Sequence, residues 1–198
     1  MQDHFKNRAK DWDKGNTQVS GAKVIADAIG QKITLTGNMD IMDFGVGTGL
    51  LGFEIAKVVR KVYGVDMSPS MLKKLEEKNT PELHIEAICQ DIVKEPLSQK
   101  FDGIVSSMTL HHVEDLKDFF LSIKKNLKEN GFIAIADLEL EDGTFHSDNA
   151  GVFHFGFEKE VLCNTLEECG FKNILLENIN TIKKPKKDFG VFLLTANV

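Results

Sequence analysis

The sequence predicts an α/β fold in which a mostly parallel sheet is covered by helices on both faces. Three observations carry that prediction. From Met39 onward, short apolar runs alternate with amphipathic stretches, the pattern of strands buried by helices on either side. A glycine-rich turn, Asp43-Phe44-Gly45-Val46-Gly47-Thr48-Gly49, separates the first apolar run from the first amphipathic stretch. Polar residues then recur just after the later runs, at Asp66, Gln90-Asp91 and Ser106-Ser107.

The elements follow in order. Strands are predicted over Met39–Phe44, Lys61–Val65, Leu83–Cys89, Phe101–Ser106 and Phe132–Asp137. Between them, helices are predicted over Leu50–Val59, over Pro69–Lys78 with Ser68 as its cap, and over Leu116–Lys128, closed by Asn130-Gly131. The tail changes character: Glu158–Cys169 reads as a helix stopped by Gly170, and Lys172–Asn180 and Phe189–Ala196 as a hairpin on the sheet edge. Ahead of the sheet, Gln2–Asp13 and Val19–Ile29 read as helices lying over its edge or its ligand.

The chain has 198 residues, enough for one substantial core and few for two, so a single domain over 1–198 is expected. Its 42% hydrophobic and 27% charged residues are those of a globular protein in water. The charged start, Met1 to Trp12, has no apolar core of a leader peptide, and no run approaches a membrane span, so a cytoplasmic protein without membrane insertion is expected. Cys89, Cys163 and Cys169 form no CxxC pair and are read as reduced thiols. The net charge of −6 argues against a nucleic-acid partner. The one basic cluster, Lys183, Lys184, Lys186 and Lys187 around Pro185, reads as a solvated turn, with contact to an anionic substrate or RNA as the alternative.

Glycines at alternate positions let the chain turn sharply and let a ligand lie against backbone amides at a helix start. The run Gly47-Thr48-Gly49-Leu50-Leu51-Gly52 also spells the dinucleotide fingerprint, which by itself decides little. Asp66 ends the second strand, where an acid can accept both hydrogen bonds of a ribose diol; capping the Pro69 helix is its plainer role. Together they indicate an adenosine-containing ligand without choosing which.

Five stretches in order, the glycine loop, Gly64–Ser68, Gln90–Ile92, Phe101–Asp115 and Leu127–Asp137, make the chain resemble the class I S-adenosylmethionine-dependent methyltransferases, in particular the broad group that includes the ubiquinone/menaquinone biosynthesis methyltransferases. The resemblance runs from about Asp43 to Gly170. It implies a Rossmann-like seven-stranded sheet of order 3-2-1-4-5-7-6 with the last strand antiparallel, in agreement with the hairpin read at the tail. It implies S-adenosylmethionine as cofactor and S-adenosylhomocysteine as product. Asp43, Gly45, Gly47, Thr48 and Gly49 would cradle the amino acid end, Asp66 the ribose, Met67 and Ile92 the adenine faces, Asp91 the adenine amino group, and Ser107 would lie near the methionyl end. On that basis the chain divides into an N-terminal helical lid (1–35), with Phe5, Arg8 and Trp12, a cofactor-binding core (39–138), an acceptor-pocket segment (139–157) and a closing helix and hairpin (158–198).

Enzyme activity toward a small-molecule acceptor is the expected function; the acceptor, the atom methylated and the oligomeric state stay open. Histidine is the side chain best able to take a proton near neutral pH, so His111, His112 and His154 are the candidate bases. Adjacent residues point in different directions, so at most one of His111 and His112 is expected to face the pocket. Acids and histidines around Asp137–His146 raise a metal site, but no ligand spacing such as HxxxH supports one. Two alternatives remain: a cofactor-binding regulator or partner subunit, whose expected sign, a damaged glycine loop, is missing, and an NAD-dependent oxidoreductase, which lacks an evident proton donor beyond Tyr63.

Overall fold

A computed structural model describes residues 9, 10 and 12–198. Most of the helix expected over Gln2–Asp13, with Phe5 and Arg8, lies outside the described residues, and its end, Trp12–Lys14, forms a 3-10 turn. There follow α1 (Asn16–Lys32), β1 (Asp40–Phe44), α2 (Leu50–Ala56), β2 (Lys61–Asp66), α3 (Pro69–Glu76), β3 (Ile85–Cys89) and β4 (Phe101–Ser107). After a 3-10 turn at Leu110–His112 come α4 (Leu116–Lys125), β5 (Leu127–Leu138), α5 (Lys159–Glu168), β6 (Lys172–Lys183) and β7 (Asp188–Asn197).

The seven strands form one sheet in the order β3-β2-β1-β4-β5-β7-β6. Pairing from β3 across to β5 is parallel, while β7 runs antiparallel to both β5 and β6. The period of two sorts side chains between two cores. Met42, Ile104, Ile133, Ile135 and Phe192 pack on one face with Phe119, Phe120, Leu162 and Leu166 of α4 and α5. Their neighbours Ile41, Val105, Ala134, Ala136 and Leu193 pack on the other with Ile25, Ile29, Leu51, Ile55 and Leu75 of α1, α2 and α3. Burial on both faces explains why the central strands read as unbroken apolar runs.

Helix ends are set by local chemistry. The Ser68 hydroxyl accepts from the Met71 amide (3.2 Å) with Pro69 opening α3, and the Asp115 carboxylate accepts from the Asp118 amide (2.9 Å) at the start of α4. Gly170, at φ 76°, closes α5. Several boundaries shift by a few residues, α2 ending at Ala56, β5 starting at Leu127 and β6 running to Lys183, and among them α4 stops at Lys125 rather than Lys128. The cause is Asn126, fully buried, whose amide donates to the carbonyls of Leu97 (2.7 Å) and Gln99 (2.9 Å). That anchor turns the chain early, and Leu127 already pairs with Phe101, the register shifting before Gly103 pairs with Phe132. No helix among the described residues is long and apolar enough to cross a membrane, and all three cysteines are free.

Candidate active site

A cleft of about 930 Å³ opens at the carboxyl ends of β1, β2, β3 and β4. The glycine loop after β1 forms one wall. Gly45, Gly47 and Gly49 stand at φ 67°, 54° and 87°, the left-handed region that side chains disfavour, which explains their alternation in the sequence. They serve different ends. A Cβ at Gly45 would strike Thr109, and one at Gly49 would crowd Phe53, whereas one at Gly47 would meet nothing within 4 Å. The bare backbone of Gly47 thus borders open cleft. Gly49 caps α2 and is the one expected loop glycine outside the lining.

Two carboxylates back this loop. Asp66, at the end of β2, accepts from the amides of Gly47 and Ser68, both at 2.8 Å, and so ties the loop to the start of α3. Asp43 is buried, and burial together with the nearby Asp66 charge pushes its carboxyl well above the usual range, against a partial offset from the Gly52 amide. The Thr48 hydroxyl donates to Asp13 (2.6 Å), which also pairs with Lys78 (2.7 Å), so the Trp12–Lys14 turn is fastened across the loop with half-buried Trp12 in the cleft lining.

Further along the cleft lie Met67, 45% exposed, and Ile92, buried, both with apolar faces, then Asp91 and Ser107. Asp91 pairs with Lys94 (2.8 Å); burial opposes its ionisation, but the bonds from Lys94 outweigh it and hold the carboxyl below its usual range. Tyr63 stacks edge-on against Phe101, 5.3 Å between centroids, and does not line the cleft.

The far end is built from histidines. His111 and His112 both line the cleft, which corrects the expectation that at most one would do so. They sit in the tight Leu110–His112 turn with ring centroids 4.2 Å apart, and His112 Nδ1 is bonded to the Gly151 carbonyl (2.7 Å). His111 is buried with Nδ1 2.7 Å from the Asp137 carboxylate, which also accepts from the amides of His111 (3.2 Å) and Leu138 (2.7 Å). His154 stands outside the lining, contrary to its expected place: its Nε2 is 2.9 Å from the Val113 carbonyl and its ring packs on Phe157. His146 takes the third position in the cleft, 4.9 Å from His111 and 6.1 Å from His112 between centroids. Burial first, then the neighbouring charges of His111, His112 and Lys184, pull His146 down to about 4, so it is neutral at pH 7. Among the described residues no group of three or more His, Cys, Asp and Glu side chains is arranged to hold a metal ion.

Sequence reasoning singled out His154 and passed over His146 and Asp137. The 139–157 segment is irregular, so no periodicity says which of its side chains turns inward. Its path is set by backbone bonds: Glu141 and Leu140 amides to the carbonyls of Phe155 and Phe157, and the Phe153 amide to His111 (3.0 Å). The lysine-rich turn joins β6 to β7 as expected, but is not merely solvated. Lys184 sits 3.9 Å over the Phe145 ring and Lys187 pairs with Asp142 (2.9 Å), clamping the segment that carries His146.

Residues 42–135 match a family described as a methyltransferase domain. An uncharacterized methyltransferase of Schizosaccharomyces pombe is 32% identical over 174 residues, covering 77% of this chain and 58% of that one. The malonyl-[acyl-carrier protein] O-methyltransferase of Acetivibrio thermocellus is 26% identical, over 80% of this chain and 53% of its own. The chain thus spans somewhat over half the length of these curated relatives. Among solved structures, the complex of the Haloferax volcanii Trm112 methyltransferase activator with a methyltransferase superposes with a TM-score of 0.80 at 15% identity, over 100% of this chain and 98% of that one. The DhpI-SAH complex does so at 0.77 and 17%, over 98% and 92%; both likenesses concern the fold.

Proposed function

We propose that the chain, whose residues 42–135 match a methyltransferase domain, is a class I S-adenosylmethionine-dependent methyltransferase, a cytoplasmic enzyme that methylates a small-molecule acceptor. One juxtaposition carries the reading: the left-handed glycine loop, with Gly47 bordering open cleft, lies against two carboxylates, Asp43 and Asp66. This chemistry fits a ligand with an ammonium group and a ribose diol. A dinucleotide would instead bring its pyrophosphate charges against carboxylates of the same sign, which disfavours the oxidoreductase alternative.

Bound S-adenosylmethionine supplies an electrophilic methyl group on a sulfonium. The protein's share is binding and positioning, and orientation alone is worth about 7–11 kcal/mol in a displacement of this kind. In this reading Asp43, with Gly45, Gly47, Thr48 and Gly49, holds the amino acid end, and Asp66 holds the ribose hydroxyls. Met67 and Ile92 flank the adenine, Asp91 accepts from its amino group, and Ser107 lies at the methionyl end. The remaining cleft, from His111 to Phe153, takes the acceptor and keeps it from water.

A thermal-shift series tests the cofactor. S-adenosylhomocysteine at a hundred times its Kd is expected to add about 2.7 kcal/mol, a rise in Tm of roughly 5–10 °C for a chain of this size, while NAD leaves Tm unchanged. Equal stabilisation by NAD would replace methyl transfer with dinucleotide chemistry. In calorimetry, Asp66→Ala is expected to weaken S-adenosylhomocysteine binding by about 1–3 kcal/mol, because the ribose loses a charged acceptor. An unchanged Kd would reduce Asp66 to its structural bonds with Gly47 and Ser68.

A further inference from the structure

At the acceptor end, two imidazoles each keep a ring nitrogen that no protein group meets: Nε2 of His111 and Nε2 of His146, on rings 4.9 Å apart. Their roles differ. Asp137 already accepts from two backbone amides, and a carboxylate can only accept, so the hydrogen shared with His111 belongs to Nδ1. In the tautomer with its hydrogen on Nδ1, the His111 ring presents a lone pair at Nε2 and needs a donor there. His146, neutral at pH 7, can present N–H at its own Nε2. An unmet polar nitrogen in a buried place is costly, and here two such costs lie side by side.

We propose that this pair reads a hydroxyl on the acceptor: its O–H donates to His111 Nε2 while its oxygen accepts from His146 Nε2–H, and His111 removes the proton during methylation. The assignment rests on the methyl-transfer reading above and narrows its acceptor. A carboxylate or phosphate offers His111 no hydrogen, and an ammonium offers His146 no lone pair; a neutral hydroxyl satisfies both. The neighbouring Phe145, Phe153 and Val191 suit a flat, apolar frame bearing that group. Both nitrogens are shielded from solvent, so reaching them requires the His146 side chain or its loop to turn.

The step balances. The acceptor O–H bond breaks and its hydrogen passes to His111 Nε2, giving an imidazolium whose Nδ1–H stays on Asp137. The freed electron pair forms the new O–CH₃ bond as the methyl group's bond to sulfur breaks, its electrons remaining on sulfur as a neutral thioether. The imidazolium then loses its proton to water. Asp137 is a positioning residue here, acting through His111.

Imidazole ¹⁵N–¹H spectra of the full chain saturated with S-adenosylhomocysteine test this, with phenol as probe and benzoate and toluene as counterparts lacking the hydroxyl. His111 is expected in the Nδ1–H form, and Asp137→Asn is expected to shift it toward the Nε2–H form. Phenol is expected to move the His111 and His146 signals and to bind at least tenfold more tightly than benzoate or toluene. His146→Phe, which keeps a ring in place, is expected to cut that preference below threefold with S-adenosylhomocysteine affinity retained. A wild-type His111 already in the Nε2–H form, or phenol binding no better than toluene, overturns the hydroxyl assignment and leaves methyl transfer standing; failure of S-adenosylhomocysteine to bind overturns both. If Asp137→Asn does not fold, the wild-type tautomer and the phenol preference decide.

Discussion

Replacing Gly47 by valine is expected to weaken S-adenosylhomocysteine binding by more than a hundredfold while leaving a folded domain. Backbone strain and side-chain bulk act separately at this position. At φ 54° any β-branched residue is strained, by about 1–3 kcal/mol, which a domain of this size survives. No protein atom lies within 4 Å of the added Cβ, so the fold meets no clash; the side chain extends into the cleft instead. Gly47→Ala is the control, because it incurs most of the backbone strain with little bulk. Its affinity is expected to fall between wild type and Gly47→Val, with circular dichroism unchanged in both. If valine unfolds the chain, Gly47 is a structural turn; if binding survives it, the cofactor does not lie against Gly47.

Asp43→Asn is expected to move stability and binding in opposite directions. A carboxyl whose pKa is raised on folding contributes stability below its unfolded value, near 3.8, and loses it as the pH rises through the folded value. Ligand-free wild-type protein at pH 7.5 therefore carries this cost, and asparagine does not. The variant is expected to be about 1 kcal/mol more stable at pH 7.5, roughly 2–4 °C in Tm, with the gap closing as the pH falls toward 4. Affinity for S-adenosylhomocysteine is expected to fall by about 2–4 kcal/mol, since its ammonium loses a buried counter-charge. Such opposition marks a residue kept for function rather than folding. A lower Tm at neutral pH with unchanged affinity would make Asp43 structural.

The strands and the cofactor end of the cleft were legible because their signals are local. A strand buried on both faces is an apolar run, and Gly45, Gly47 and Gly49 advertise a backbone that other residues disfavour. Strand order came from family resemblance, since periodicity says where a strand is and not which neighbour it pairs with. The end of α4 was misplaced because Asn126 acts through carbonyls almost thirty positions earlier, a tertiary bond with no local trace. The same limit hid the histidine cluster. His111 meets Asp137 across 26 positions, and His146 arrives on an irregular loop, while His154 was attractive only for its aromatic neighbours.

The Asp13 bridge to Thr48 and Lys78 sets how tightly the N-terminal turn guards the cleft. Lys78 and Asp13 are each about one-third exposed, and partly solvated pairs of this kind hold no more than about 1 kcal/mol. The Thr48 bond adds a comparable amount. Together the two bonds thus lower the population of the released turn by a factor of only about thirty, and side-chain bonds of this strength re-form far faster than enzymes commonly turn over. The turn is a light latch: two bonds of this strength fasten it across the glycine loop without locking it there.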